Sequence, residues 1–97
     1  MISATQALVI GNGAYPGRLK LNNPVGDAAA VKAAFVELGI DVTCAVDFPY
    51  NELLSTIDLF LSQANRRTVT VSILYYSGHG IQDKDINYIV PIDFEDY

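Results

Sequence analysis

Tryptophan is absent from this 97-residue chain, and cysteine, methionine and histidine each occur once. With Cys44 as the single thiol, no internal disulfide framework and no cysteine zinc cluster can form. Basic residues are scarce as well. Six Lys and Arg stand against eleven Asp and Glu, for a net charge of −5 and a pI near 4.4. That balance argues against a polyanion-binding surface and suits solubility or a basic substrate. No apolar run approaches the ~20 residues that span a bilayer. The opening segment, Met1 to Gln6, lacks the basic and apolar regions of a secretory signal. A cytoplasmic protein with neither membrane nor nucleic-acid partner is therefore expected. Repeats, linkers and low-complexity tracts are also missing. Hydrophobic residues make up 51% of the chain, enough for one core but not for two domains.

The apolar residues fall into periodic segments. Ala7-Leu8-Val9-Ile10, stopped by Gly11-Asn12-Gly13, reads as a buried parallel strand near 6–10. Asn23-Pro24 signals a helix start, with Asn23 as cap and Pro24 in the first turn. Val25, Ala28, Val31, Phe35 and Leu38 then follow at three- and four-residue steps, predicting a helix near 24–38 that Gly39 ends in the left-handed conformation. Ile40, Val42, Cys44 and Val46 alternate with other residues as a strand near 40–46 would. After Phe48-Pro49, with Asn51 as candidate cap, Leu54, Ile57, Leu61 and Ala64 define a second helix near 51–66, closed by Arg66-Arg67. The third strand, near 68–76, holds Val69, Val71, Ile73 and Tyr75 on one side and Leu74 and Tyr76 on the other. Gln82 to Asp85 reads as a polar turn. Strand, helix, strand, helix, strand is an α/β unit with a mostly parallel sheet.

Sites in open parallel sheets gather at the carboxyl ends of the strands. Three features fall there: the Gly11-Asn12-Gly13 loop, Asp47, and Ser77-Gly78-His79-Gly80. His79 has glycine on both sides, so its ring is unshielded and backbone can approach a ligand closely. An imidazole titrates near neutrality and can accept and return a proton during acyl transfer. The N–H of Gly80 could meet a developing oxyanion. The plainer alternative is an ordinary loop histidine in a glycine turn. A dinucleotide reading of Gly11-x-Gly13 with Gly17 fails on spacing, on Pro16, and on the lack of a helix directly afterwards.

Several motifs extend this picture in order along nearly the whole chain. They are Ala7-Leu8-Val9-Ile10-Gly11-Asn12, Leu21, Asn23-Pro24 leading to Asp27-Ala28, Leu74-Tyr75-Tyr76-Ser77-Gly78-His79-Gly80, and Asn87-Tyr88 before Val90-Pro91-Ile92-Asp93. Together they resemble the large-subunit region of caspase-like cysteine peptidases, most closely the bacterial, paracaspase and type I metacaspase branches. The resemblance implies a three-layer sandwich, with residues 1–97 as the N-terminal part of a single caspase-like domain. It implies that His79 is the histidine of a Cys-His dyad that protonates the leaving amine, and that Gly80 is an oxyanion-hole donor. Asp27 matches the acidic residue that lines the pocket for an Arg or Lys side chain before the cut, and a carboxylate favours such a cationic partner. The alternative role for Asp27 is a first-turn helix acid favoured by the dipole. No cofactor is implied beyond the calcium that some metacaspases need. The acidic group Asp83, Asp85, Asp93, Glu95 and Asp96 shows no EF-hand spacing and reads as a solvated loop.

One element of the family pattern is missing. Members carry the nucleophile on a fourth strand, in a segment resembling Asp-Ala-Cys-Arg beyond the Pro-x-Asp turn, and the sequence reaches Tyr97 without one. Cys44 sits inside the second strand, where a cysteine is packing rather than chemistry. The expectation is therefore a fragment of a peptide-bond-hydrolysing endopeptidase, inactive alone, with its cysteine beyond this chain. The rival is a non-catalytic scaffold or regulatory module that pairs with another caspase-like chain. Expected partners are a peptide or protein substrate, and the remainder of the domain or a second such chain. A 2-1-3 strand order would leave the third strand as an open apolar edge, prone to self-association.

Overall fold

A strand made only of apolar residues persists in water only if both of its faces are covered. The computed structural model, which describes residues 4–66 and 68–94, shows how this is met. The run Ala7–Ile10 forms the centre of β1 (Thr5–Gly11), where Ala7, Leu8, Val9 and Ile10 are all essentially inaccessible. β1 lies between two parallel neighbours, β2 (Asp41–Val46) and β3 (Val71–Ser77), in the order β2-β1-β3. Val9 stands opposite Cys44 on one side and Tyr75 on the other. The sheet is thus parallel, and a helix covers each face in the three-layer arrangement expected from the resemblance.

α1 (Pro24–Glu37) covers the face bearing Ala7, Val9 and Gly11. Its approach is close enough to require glycine: a Cβ on Gly11 would lie 2.6 Å from the Pro24 carbonyl oxygen and 2.7 Å from the Ala28 Cβ. The buried residues of α1 are Pro24 and Ala28, with Val31 and Phe35 half-buried beside them. Val25 and Leu38, expected on the same stripe, are exposed instead. Small side chains set this contact, so the ends of the stripe splay away from the sheet. Asn23 stands at the helix start, but its side chain caps nothing. Gly39 takes φ 79°, the left-handed helix stop the sequence predicts.

α2 (Tyr50–Ala64) covers the opposite face, packing Leu53 and Phe60 onto Leu8, Ile10 and Ala45, with Ile57, Phe48, Tyr76 and Ile89 around them. The buried stripe differs from the one the periodicity predicts. It is Leu53, Ile57, Phe60 and Ala64, while Leu54 and Leu61 face outward. The run is apolar at so many positions that two stripes overlap, and the larger ring of Phe60 decides which one faces the sheet. The expected cap Asn51 also fails. α2 starts one residue earlier, and the Tyr50 N–H donates at 2.9 Å to Asp93 Oδ1 from the far end of the chain. That carboxylate satisfies a helix-start donor and complements the dipole.

Two further strands follow β3, where the sequence pattern predicts only a turn and a short apolar piece. β4 (Gly80–Asp83) and β5 (Ile86–Ile89) pair antiparallel through Lys84-Asp85. Both turn residues have positive φ, 50° and 66°, the backbone of a tight two-residue hairpin turn. β3 itself begins at Val71, later than the expected 68, because Val69 closes a turn onto Arg66. Among the described residues its outer edge is unpaired, and Val71 and Leu74 on it are about half exposed. Arg67, Glu95 and Asp96 lie outside the described residues.

The stripe assignment on α2 is testable by a pair of truncations. Phe60→Ala should lower the free energy of unfolding in urea by about 3–5 kcal/mol. Leu61→Ala, one residue along, should change it by less than about 0.5 kcal/mol. Equal losses would contradict the packing described.

Candidate functional site

The carboxyl ends of β1, β2 and β3 come together through their loops. After β2, Asp47 turns back with φ 55° and its N–H donates to the Gly11 carbonyl. Its Oδ1 accepts from the N–H groups of Gly13 and Ala14, at 2.8 and 2.9 Å. These paired amides are the kind of cradle that binds a phosphate, and here the cradle is filled by the protein's own carboxylate. Gly13 is also pinned to Leu21, whose N–H donates to its carbonyl at 2.8 Å. The loop from Asn12 to Asn22 is thereby folded back over the sheet end, with a 3₁₀ turn at Gly17–Leu19.

That turn reaches His79. The imidazole Nε2 lies 2.7 Å from the Leu19 carbonyl oxygen. A carbonyl oxygen only accepts, so the contact requires the proton on Nε2, and in the neutral ring the lone pair is then on Nδ1. His79 is half-buried, and the Tyr15 ring packs against it at 4.6 Å between centroids, tilted by 59°. Leu19 was not visible as a functional residue in the sequence, because it acts through its backbone and any side chain would serve.

The main chain of His79 is held as firmly as its ring. Tyr76 donates its hydroxyl proton to the His79 carbonyl at 2.6 Å, and the His79 N–H donates to the Tyr15 hydroxyl at 3.1 Å. Tyr15 in turn donates to the Val90 carbonyl at 2.7 Å, where Asn12 Nδ2 also donates at 3.2 Å. Asn12 is fully buried, and its Oδ1 has no protein partner among the described residues. The sequence pattern places Tyr76 in sheet packing and gives Tyr15 no role. No local pattern marks Tyr15, because the groups it bonds lie 61 to 75 residues further along the chain. Burial, reinforced by the Tyr76 hydroxyl, pushes the Tyr15 phenol well above its ordinary value, while the His79 N–H opposes the shift.

Gly80 follows as the first residue of β4. The Val90 N–H donates to the His79 carbonyl, which marks 79 and 90 as a hydrogen-bonding position of the hairpin. Gly80, opposite Ile89, is the next position along, so its N–H points away from β5 and is not used by the ladder. His79 and Gly80 share the wall of a cavity of about 210 Å3 with Leu19, Ile81, Val90 and Phe94. His79 and Gly80, neighbours in the chain, thus border the same cavity. Asp27 is separate: it lies exposed in the first turn of α1, its N–H on the Asn23 carbonyl, and takes no part in the network around His79.

Cys44 is half-buried in β2, with all of β1 between it and β3. Two strand spacings amount to roughly 10 Å, so its thiol cannot meet an imidazole anchored beyond β3. Among the described residues no three His, Cys, Asp or Glu side chains gather as a metal site would require, and no helix is long and apolar enough to cross a membrane. The arrangement offers an imidazole and an adjacent amide that the ladder does not use, and among the described residues no thiol stands beside them.

The state of Tyr15 can be checked by titration. Because its pKa is raised, the phenol should stay protonated through pH ~10, where an ordinary tyrosine is half ionised. The tyrosinate absorbance curves of the unaltered chain and of Tyr15→Phe should therefore coincide up to that pH. An early-titrating tyrosine lost in Tyr15→Phe would contradict this assignment.

Comparison with known proteins agrees with the geometry. A family model described as the caspase domain matches residues 4–96. The mucosa-associated lymphoid tissue lymphoma translocation protein 1 of Homo sapiens is 30% identical over 87 residues, covering 90% of this chain and 10% of that protein. Its homolog from Mus musculus matches with the same identity and coverage. The chain thus spans about a tenth of the length of these relatives. With the match running through β1, both helices, β3 and the His79 hairpin, this chain belongs to the caspase-domain family of cysteine peptidases.

Proposed function

We propose that residues 1–97 are the N-terminal part of a single caspase-like domain. Its parent is a cysteine endopeptidase of paracaspase type that cuts peptide bonds after Arg or Lys. The observation that carries this reading is the pairing of His79, its Nε2 tied to the Leu19 carbonyl, with the free N–H of Gly80 in one cavity. In the reaction, a cysteine thiol gives its proton to Nδ1 of His79 and the thiolate attacks the scissile carbonyl carbon. The carbonyl oxygen takes the negative charge and is met by the Gly80 N–H. His79 then returns the proton to the amide nitrogen as the C–N bond breaks, releasing the amine and leaving a thioester. Water, deprotonated by the same imidazole, hydrolyses the thioester and restores the thiol.

The cysteine would come from a segment that joins the sheet beside β3. A parallel strand on that edge ends about 4.8 Å to the side of the β3 terminus, next to the loop that carries His79. The unpaired edge and the exposed Val71 and Leu74 support this placement. Asp27 would receive the basic side chain before the cut; its exposure at the head of α1, free of internal partners among the described residues, and the net charge of −5 support that role. The protein would act in the cytoplasm.

A longer parent chain containing an Asp-x-Cys segment provides the test. It should hydrolyse Arg and Lys peptides, and His79→Ala should lower kcat by about 10²–10⁴-fold. Asp27→Ala should reduce kcat/KM for Arg substrates by about tenfold. Cleavage only after Asp would sink the specificity, and full activity in His79→Ala would sink the mechanism.

The open edge of β3 also favours a second reading, a non-catalytic module that pairs with another caspase-like chain. Light scattering of this chain at high concentration should give a mass above the monomer, returning to the monomer in Leu74→Lys. A monodisperse monomer before substitution would count against edge pairing.

A further inference from the structure

At a hydrogen-bonding position of an antiparallel pair, two facing residues exchange both of their N–H···O bonds. Residues 79 and 90 hold such a position just ahead of the first β4–β5 pair, Gly80 with Ile89. One half of the exchange is present, the Val90 N–H on the His79 carbonyl at 3.2 Å. The other half is replaced. The His79 N–H donates to the Tyr15 hydroxyl at 3.1 Å, and that hydroxyl donates to the Val90 carbonyl at 2.7 Å. A phenol oxygen has been inserted into the ladder where a direct amide bond belongs.

The proton count is consistent with this insertion. Tyr76 has one hydroxyl proton, and its shortest contact is the His79 carbonyl at 2.6 Å, with the Val90 carbonyl and the Val90 N–H each 3.3 Å from the same oxygen. Tyr15 also has one, claimed by Val90. The two hydroxyl oxygens also lie 3.1 Å apart, a longer contact than either makes to its carbonyl. Space is arranged to match, since a Cβ on Gly78 would lie 2.5 Å from the Tyr76 hydroxyl oxygen and 2.9 Å from that of Tyr15. A phenylalanine at position 15 would fill the core equally well, so packing does not account for the hydroxyl. At neutral pH the phenol carries its proton, as any tyrosine does, and can donate it to the Val90 carbonyl.

We propose that Tyr15 is a positioning residue for His79: its hydroxyl wedges open the start of the hairpin, so that His79 stands off β5 and faces its cavity. This rests on the reading of His79 as the catalytic histidine. The same loop holds the residue at two points, the Tyr15 hydroxyl on the main-chain N–H and the Leu19 carbonyl on Nε2. The Tyr15 ring lies against the imidazole between them. Without the hydroxyl, the His79 N–H must either meet the Val90 carbonyl directly, drawing His79 toward β5, or lose its partner in a half-buried setting, while the Val90 carbonyl still accepts from Asn12 Nδ2.

Tyr15→Phe removes only the hydroxyl and is the informative variant. By NMR on this chain, exchange of the His79 amide should speed up by about tenfold to a hundredfold, with a shift of the His79 imidazole resonances. Amides in the middle of β1 should change far less. A uniform acceleration through β1, or no change at His79, would overturn the proposal by reducing Tyr15 to ordinary core. If Tyr15→Phe does not fold, the unaltered chain decides. A slowly exchanging Tyr15 hydroxyl proton with a cross-relaxation peak to the His79 N–H supports the insertion, and a rapidly exchanging hydroxyl overturns it. In the longer enzyme, Tyr15→Phe should lower kcat by about tenfold with KM within about twofold. A parent without peptidase activity would defeat the catalytic reading, while the amide and hydroxyl measurements would still decide whether the wedge exists.

Discussion

Burial of β1 on both faces is the constraint from which the rest of this structure follows. Four consecutive residues at essentially zero exposure require a strand neighbour on each edge and a helix on each face. Fully burying Leu8 and Ile10 contributes about 1.5–3 kcal/mol each, and neither can stay buried unless α2 is docked. Gly11 adds a geometric demand, because only a residue without Cβ lets α1 sit where it does. The site inherits this rigidity. Asn12 follows β1 directly, with its N–H on the Ser77 carbonyl, so the end of the central strand and the end of β3 are fixed to each other before either loop departs.

The loops then divide the remaining work. The β1–α1 loop supplies supports for His79, and the β3–β4 segment supplies His79 and the free amide of Gly80. Asp47 stabilises the first loop by filling its exposed amides, which also closes the phosphate-binding option suggested by its glycines. Because a main-chain carbonyl holds Nε2, the ring is oriented without help from another side chain. A carboxylate in that position would bring a full negative charge to the ring, whereas a neutral carbonyl orients it with a dipole alone.

Much of this was legible in the sequence where one face of an element differs from the other. The alternation in β2, the apolar run of β1, the stop at Gly39 and the Gly-His-Gly segment after β3 all emerged from local pattern. Errors arose where pattern is degenerate or absent. The residues Leu53 to Leu61 carry apolar side chains on nearly every face, so Leu54 and Leu61 were as plausible for the core as Leu53 and Phe60. β4 and β5 are almost wholly exposed and mixed in character, leaving no period to detect. The Asp93 cap spans 43 residues, and the Leu19 carbonyl acts through a group every residue possesses. Tyr15 could be recognised as important only once its partners were in place.

The Asp93 cap on α2 has a consequence for the order in which the domain is made. Every group that holds His79, from Asn12 through Tyr15, Leu19 and Tyr76 to Val90, precedes Asp93 in the chain. When Asp93 leaves the ribosome and closes on the Tyr50 N–H, the histidine and all its supports have already been synthesised. The hairpin is then tied to the sheet through α2, on the side opposite α1. The tie that fixes the hairpin to α2 therefore closes over a set of supports that all lie earlier in the chain than the tie itself.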